Sequence, residues 1–291
     1  MTYDLFLGDR SYSSWSLRGW LVFEKFGIPV RSHFVDFNAA DGVAAQLAEI
    51  APARTVPALK LESGIVVSES LAIAEEIASR HPEAGLWPAD PNARALARNL
   101  ASEMHAGFGA LRDFCPMNLR LAYMDVPVPE EVERDLRRLE LIWSGARQAT
   151  APQGPWLAGD YSIADAFYAP VAARIAGYGL SVNAQAQAYV DAHLQDPAFR
   201  RWRAMGFASG AVLEWYKRPY MVANWPGPTP LAAKPVETGT AENTLCPYSQ
   251  KPVTHLAEIE TRTFGFCNAF CRDKTVADPE AWPKFMAIYH S

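Results

Sequence analysis

The hydrophobic pattern changes character at Leu86-Trp87-Pro88-Ala89-Asp90-Pro91. Ahead of this linker, strand-like and helix-like pieces alternate. Tyr3 to Leu7 reads as a strand that runs into the polar turn Gly8-Asp9-Arg10-Ser11-Tyr12. From Ser14, the apolar Leu17, Trp20, Leu21 and Phe23 recur at helical spacing until Gly27 stops the run. Residues 30–37 alternate as a half-buried strand would, and a weakly helical stretch covers 43–50. Thr55 to Leu61 and Ile65 to Val67 flank the turn Glu62-Ser63-Gly64. Ser68-Glu69-Ser70 then opens a helix with Leu71, Ile73, Ala74 and Ile77 on its apolar face. The order is βαβα, a ββ hairpin, then α, which gives a first domain over residues 1–85.

Past the linker the strand signals stop. Residues 94–111 and 130–148 predict long amphipathic helices. Ser162-Ile163-Ala164-Asp165 is a capping box opening an apolar helix through Ile175, and Asp196-Pro197 starts the last helix. An all-helical domain is therefore expected over 92–212. Pro219, Pro226, Pro228, Pro230 and Pro235 then exclude a regular helix or central strand. They predict a strap over 213–242, held on the protein by Tyr220, Met221, Trp225 and Leu231, before a small module at 243–291. The fold class is α+β.

A chain of 291 residues, 49% hydrophobic and 20% charged, has material for two or three cored units. Its net charge of −5 argues against nucleic acid as a partner. No apolar run approaches the ~18 residues of a membrane span, so no membrane association is expected. The opening Met1 to Gly8 lacks the basic region of a leader. A cytoplasmic protein is expected.

Three local features carry chemistry. Ser13-Ser14-Trp15-Ser16 sits where strand one meets helix one, beside exposed amides and the positive end of a helix dipole. A serine hydroxyl there can donate to a thiolate and lower the pKa of a bound thiol; ordinary helix capping explains the same residues. Val56-Pro57 stands before a strand, either as a strand entry or as a cis peptide. If cis, it would turn the Val56 amide and carbonyl toward an extended peptide ligand. Glu69-Ser70 opens a helix. The Ser70 hydroxyl and first amides can hold a carboxylate while Glu69 holds an ammonium, although simple capping again suffices.

Together, Ser13-Ser14, Val56-Pro57, Glu69-Ser70 and the run Leu157 to Asp165 resemble the glutathione transferase superfamily over residues 1–210. The resemblance implies a thioredoxin-like N-terminal domain, an all-α C-terminal domain and glutathione as cosubstrate. It places the γ-glutamyl end on Glu69 and Ser70 and the cysteinyl backbone on Val56. The first turn is similar to the zeta class, which implies Ser13 as the thiol-activating residue with Ser14 its neighbour. Trp15 stands where that class has cysteine, and Arg18 where it has arginine. The implied activity is conjugation or isomerisation of a small electrophile by a homodimer. Met104, His105, Phe108, Leu111 and Trp15 are candidates for the acceptor site, with Cys115 nearby. His105 also reads as a hydrogen-bonded core residue, and Cys115 as a buried inert one.

The remaining three of the four cysteines cluster late, as Cys246, Cys267 and Cys271. With the last two at i, i+4 on one helix, both thiolates would face one point. Thr261 to Phe266 reads as the strand that delivers that helix. The pattern resembles the TRASH/YHS metal-binding modules over 243–286, with Ser249 where many members have a second cysteine. Three thiolates suit zinc or cuprous copper, with His255 or water as the fourth ligand. A small core packed with thiols is the plainer alternative. If the metal reading holds and glutathione chemistry does not, the chain is a non-catalytic scaffold carrying a sensor or interaction module.

Overall fold

A computed structural model describes residues 3–291; Met1 and Thr2, the start of the stretch read above for a leader, lie outside the described residues. The chain divides into two compact units. One takes in the chain up to His193 together with Leu213–Pro226, and the other Leu194–Val212 with Gly227–Ser291.

The first unit opens with a four-stranded mixed sheet in the order β2-β1-β3-β4, formed by β1 (Tyr3–Leu7), β2 (Val30–Phe34), β3 (Ala58–Lys60) and β4 (Val66–Val67). β1 runs parallel to β2 and antiparallel to β3, with Leu5 facing Ser32 and Leu59 in register. Helices α1 (Ser14–Glu24) and α2 (Gly42–Gln46) connect strands, and α3 (Ser70–Arg80) follows β4. This is a thioredoxin-like arrangement. α1 buries the expected Leu17, Trp20, Leu21 and Phe23, and also Ser16, Arg18, Gly19 and Val22, so it is covered nearly all round and not on one face only.

Two glycines set how closely this domain closes around its first turn. A Cβ on Gly19 would lie 3.0 Å from the Pro57 ring, and one on Gly8 would lie 2.3 Å from the Phe37 ring and 3.1 Å from Val56. Only glycine lets α1 and the end of β1 approach Val56-Pro57 this tightly.

The helical part consists of α4 (Pro91–Ala106), α5 (Gly109–Phe114), α6 (Glu130–Thr150), α7 (Ile163–Gly177) and α8 (Ala184–Gln195). α7 is buried nearly all round, as its composition, apolar apart from Asp165, Tyr168 and Arg174, requires. The capping box is formed: Asp165 accepts from the amides of Ser162 at 2.9 Å and Leu157 at 3.2 Å, from the Ser162 hydroxyl, and from Tyr189 Oη at 2.9 Å.

Two expectations for this region need correction. The single helix expected over 94–111 breaks after Ala106: Gly107 is extended and Phe108 takes a left-handed φ of 59°. The new start at α5 is pinned by Asp135 of α6, whose Oδ2 accepts from the Leu111 amide at 2.9 Å. Strand structure also persists past the linker, as β5 (Ala122–Met124) pairs antiparallel with β6 (Met221–Ala223). Three-residue strands are too short to show an alternation in sequence.

The second unit joins α9 (Pro197–Ala208) to a three-stranded antiparallel sheet of β7 (Ala233–Val236), β8 (His255–Ile259) and β9 (Arg262–Phe266). α10 (Ala269–Ala277) and α11 (Pro283–Tyr289) follow. Prolines of the strap fit because β7, which holds Pro235, is an edge strand. Ala204 of α9 packs with Phe264, Phe266, Trp282 and Phe285, so this helix groups with the module and not with the helical domain named from sequence. Arg200 of α9 holds Asp278 through a two-point ion pair of 2.8 and 2.6 Å.

Candidate functional site

A cleft of about 550 Å³ in the first unit is lined by Ser13, Ser14, Val56, Pro57, Glu69 and Ser70 together. Local folding explains each position. Ser13 caps α1: its Oγ accepts from the Ser16 amide at 3.3 Å and donates to Ser16 Oγ at 2.8 Å. Ser16 Oγ in turn accepts from the Gly8 amide at 2.8 Å, tying the end of β1 to the helix. Ser14 follows, and its Oγ accepts from Arg174 at 3.3 Å.

The Val56-Pro57 peptide is cis. Among the described residues, no hydrogen bond reaches the Val56 amide or carbonyl. Glu69 is the extended residue before α3 and is exposed, whereas Ser70 is 1% exposed with no partner for its Oγ among the described residues. A buried hydroxyl without a partner at a helix start is a position that an anionic oxygen would satisfy.

The opposite wall comes from residues that local motifs did not announce. The break between α4 and α5 turns Arg112 and Asp113 into the cleft, followed by Pro116 and Met117; Arg174 enters from α7 and Tyr216 from the segment after Leu213. The Leu213 amide donates to Tyr12 Oη at 3.2 Å, and the Tyr12 and Tyr216 rings meet at a tilt with centroids 4.7 Å apart. An arginine on an otherwise apolar helix was the one available signal for Arg174.

Positive charge gathers behind the first turn. Arg174 is buried and donates to the carbonyls of Cys115 at 2.8 Å and Pro170 at 3.2 Å as well as to Ser14. Burial lowers its pKa to about 10, still far above neutrality. Arg18 is fully buried between the Trp15 and Phe167 rings, 4.4 and 5.3 Å away, with no hydrogen-bond partner on its guanidinium among the described residues. Burial, then Arg174 and Arg112, push its pKa down. The guanidinium of Arg112 lies 4.7 Å from the Trp15 ring.

Of the acceptor-site candidates, Trp15 lines the cleft. Met104, Phe108, Leu111 and Cys115 are buried in the core instead. His105 stands edge-on to Trp15 at 5.3 Å and 3.7 Å from Glu69; burial, then Arg18, lower its pKa. Burial pushes Cys115 up to about 12, which makes it an inert thiol at neutral pH.

In the second unit, Cys246, Cys267 and Cys271 bring their sulfurs within 4.8 Å of one another. Cys267 does not lie on the helix as its spacing suggested. It precedes the Asn268 cap of α10, and its sulfur is 3.9 Å from that of Cys271. His255 is not in the cluster; its Nδ1 pairs with Thr254 Oγ1 at 2.9 Å. Ser249 Oγ donates to Cys267 Sγ at 3.1 Å. Burial opposes a Cys246 thiolate, but the amides of Ser249, Tyr248 and Cys267 more than offset it and bring its pKa to about 6. Burial, then the Cys246 charge, push Cys271 up to about 12. A tetrahedral metal with ~2.3 Å bonds to sulfur spaces its thiolates by about 3.8 Å, so the donor set fits a thiophilic cation.

Residues 12–80 match the family profile of the glutathione S-transferase N-terminal domain. A "Probable maleylacetoacetate isomerase" of Caenorhabditis elegans is 33% identical over 110 residues, 38% of this chain and 50% of that protein, so the match spans half the length of this curated relative. Among solved structures, a glutathione transferase homolog from Burkholderia with bound glutathione aligns with a TM-score of 0.54 at 22% identity, over 72% of this chain and 100% of that one. A homolog from Sulfitobacter, also with bound glutathione, aligns at 0.50 and 20% identity over 68% of this chain and 95% of that one. At such identities the structural likeness is one of fold. The chain therefore has the glutathione transferase fold, and its residues 12–80 match the glutathione S-transferase N-terminal domain.

Proposed function

We propose that this chain is a glutathione transferase-like enzyme that binds glutathione in the cleft and directs its thiolate onto a small electrophile. The observation that carries the reading is the buried, unpartnered Ser70 hydroxyl in the same cleft as Ser13, Ser14 and Val56. The γ-glutamyl carboxylate would accept from Ser70 Oγ and the first amides of α3, and Glu69 would pair with the ammonium. The Val56 amide and carbonyl would bond the cysteinyl backbone, which brings the sulfur to the first turn of α1. There the helix terminus and the buried guanidiniums favour an anion over a neutral thiol.

The thiolate then forms a bond to an electrophilic carbon, either displacing a leaving group or adding and later being expelled after isomerisation. The structures with bound glutathione and the isomerase relative support this reading. It also carries a cytoplasmic location and a homodimer, the dimer testable by light scattering. Calorimetric titration of glutathione tests the binding step. Millimolar or tighter binding is expected, weakened about tenfold or more in Ser70→Ala. A chain that ignores glutathione at millimolar concentration contradicts the proposal.

A second reading is favoured by the three convergent sulfurs. Cys246, Cys267 and Cys271 would hold zinc or cuprous copper, with Ser249 or a solvent oxygen, and not His255, nearest the fourth position. When bound, the cation would supply a structural crosslink and keep the thiols deprotonated. If glutathione does not bind, this module is the functional part of a non-catalytic scaffold. Elemental analysis tests the metal reading: about one metal per chain is expected, and none after replacing the three cysteines by serine.

A further inference from the structure

A lysine is buried beside the thiol cluster of the second unit. Lys274 is 8% exposed and stands one turn along α10 from Cys271. Its ammonium lies 3.6 Å from the centre of the Tyr248 ring, 4.0 Å from that of Trp282 and 5.7 Å from that of Phe270. Taking an ammonium out of water is costly, and aromatic faces offset only part of that cost.

The aromatic cage also joins the two segments that carry the sulfurs. Tyr248 belongs to the turn that starts at Cys246, and its amide supports the Cys246 sulfur. Its Oη is hydrogen-bonded to Thr275 Oγ1, which donates to the Cys271 carbonyl at 2.8 Å. Trp282 meets Tyr248 edge-on at 5.5 Å, and its Nε1 donates to the Lys274 carbonyl at 3.0 Å. The ammonium is therefore fixed with respect to both the Cys246 turn and the start of α10.

The charge of the cluster gives this placement a use. Cys246 and Cys271 are buried, so thiolates there repel one another in a medium that screens them poorly. Three thiolates carry three negative charges. A divalent cation offsets two and the Lys274 ammonium the third, which leaves the site neutral. A cuprous ion in the same place leaves one negative charge buried without compensation, which is unfavourable. Burial, then the Cys246 charge, oppose a Cys271 thiolate, and Lys274 favours it.

We infer that Lys274 is the built-in counter-charge of the thiolate cluster, and that the cation it complements is divalent, zinc and not cuprous copper. The inference rests on the metal reading above and goes beyond it by fixing the charge of the cation. Lys274 is a positioning residue: it acts on the site through the thiolates and does not ligate the metal.

The test is competition for zinc against a chromogenic chelator at one fixed pH. Lys274→Met keeps the length of the side chain and removes its charge. It should weaken zinc binding about tenfold or more and leave the melting temperature of the chelator-treated protein within about two degrees. Lys274→Arg, which keeps the charge and can stack on the same rings, should recover most of the affinity. Undiminished zinc affinity in Lys274→Met, or an equal loss in Lys274→Met and Lys274→Arg, overturns the inference. So does a metal-free melting temperature that falls together with the affinity, because that marks a packing role. Elemental analysis of the unaltered protein, from cells supplied with both metals, should find zinc. Copper in its place overturns the inference whether or not Lys274→Met folds. An unaltered protein that takes up neither metal overturns the metal reading beneath it.

Discussion

The cleft of the first unit and the thiol cluster of the second are both built from small polar groups, but they are supported in opposite ways. The cleft is framed by elements whose own caps and cores are complete: α1 is capped by Ser13, and α7 is locked by the fourfold acceptor Asp165. Its ligand-facing groups are those the scaffold leaves over, the Ser70 hydroxyl and the amide and carbonyl of Val56. The thiols, in contrast, belong to the core they sit in. Cys246 and Cys271 pack among Phe264, Phe266, Trp282 and Phe285. A ligand in the cleft should therefore add to a fold that already stands, whereas a cation on the sulfurs should be part of the fold.

The largest expected difference is the response to metal. Structural zinc contributes about 10 kcal/mol or more in small modules, so chelation should lower the unfolding temperature of the second unit sharply and leave glutathione binding intact. Equal melting curves with and without chelator would remove that contrast. Next in size is the cap of α7. Asp165→Asn leaves one acceptor oxygen for four donors and should cost the first unit about 3 kcal/mol, read by denaturant unfolding.

Smaller again is the effect of glutathione. At a hundred times its dissociation constant it should stabilise the first unit by about 2.7 kcal/mol, with no change in a separate transition of the second unit. The smallest effect is one of pH. Burial raises Asp165 from 3.8 to about 6, so its contribution is fully present below its unfolded value and is lost as pH rises through about 6. The difference in stability between the unaltered protein and Asp165→Asn should therefore vary between pH 4 and 7, as measured by urea midpoints. A constant difference would place the Asp165 proton elsewhere.

The strands and helices of the N-terminal domain were legible because each carries its own period and stop signal, as Gly27 does after α1. The candidate site was legible only where one short motif supplies it. Ser13-Ser14, Val56-Pro57 and Glu69-Ser70 are local in sequence, and they share one cleft. Arg112 was not legible, since nothing in the sequence marks Phe108 as the residue that turns left-handed and splits α4 from α5. Tyr216 was hidden for a different reason. It follows the last long helix, in a stretch without periodicity, and reaches the cleft only through tertiary contacts such as that of Leu213 with Tyr12. In the second unit the three sulfurs were visible by spacing, but His255 was read by proximity in sequence, and the turn of the chain pairs it with Thr254 instead.

The most direct test of the account is a crystal structure of the chain grown with glutathione. The γ-glutamyl carboxylate should lie within hydrogen-bond distance of Ser70 Oγ, the cysteinyl backbone beside Val56, and the sulfur at the first turn of α1, beside Ser13 and Ser14. A tripeptide bound elsewhere, or one whose carboxylate leaves Ser70 without a partner, would contradict it.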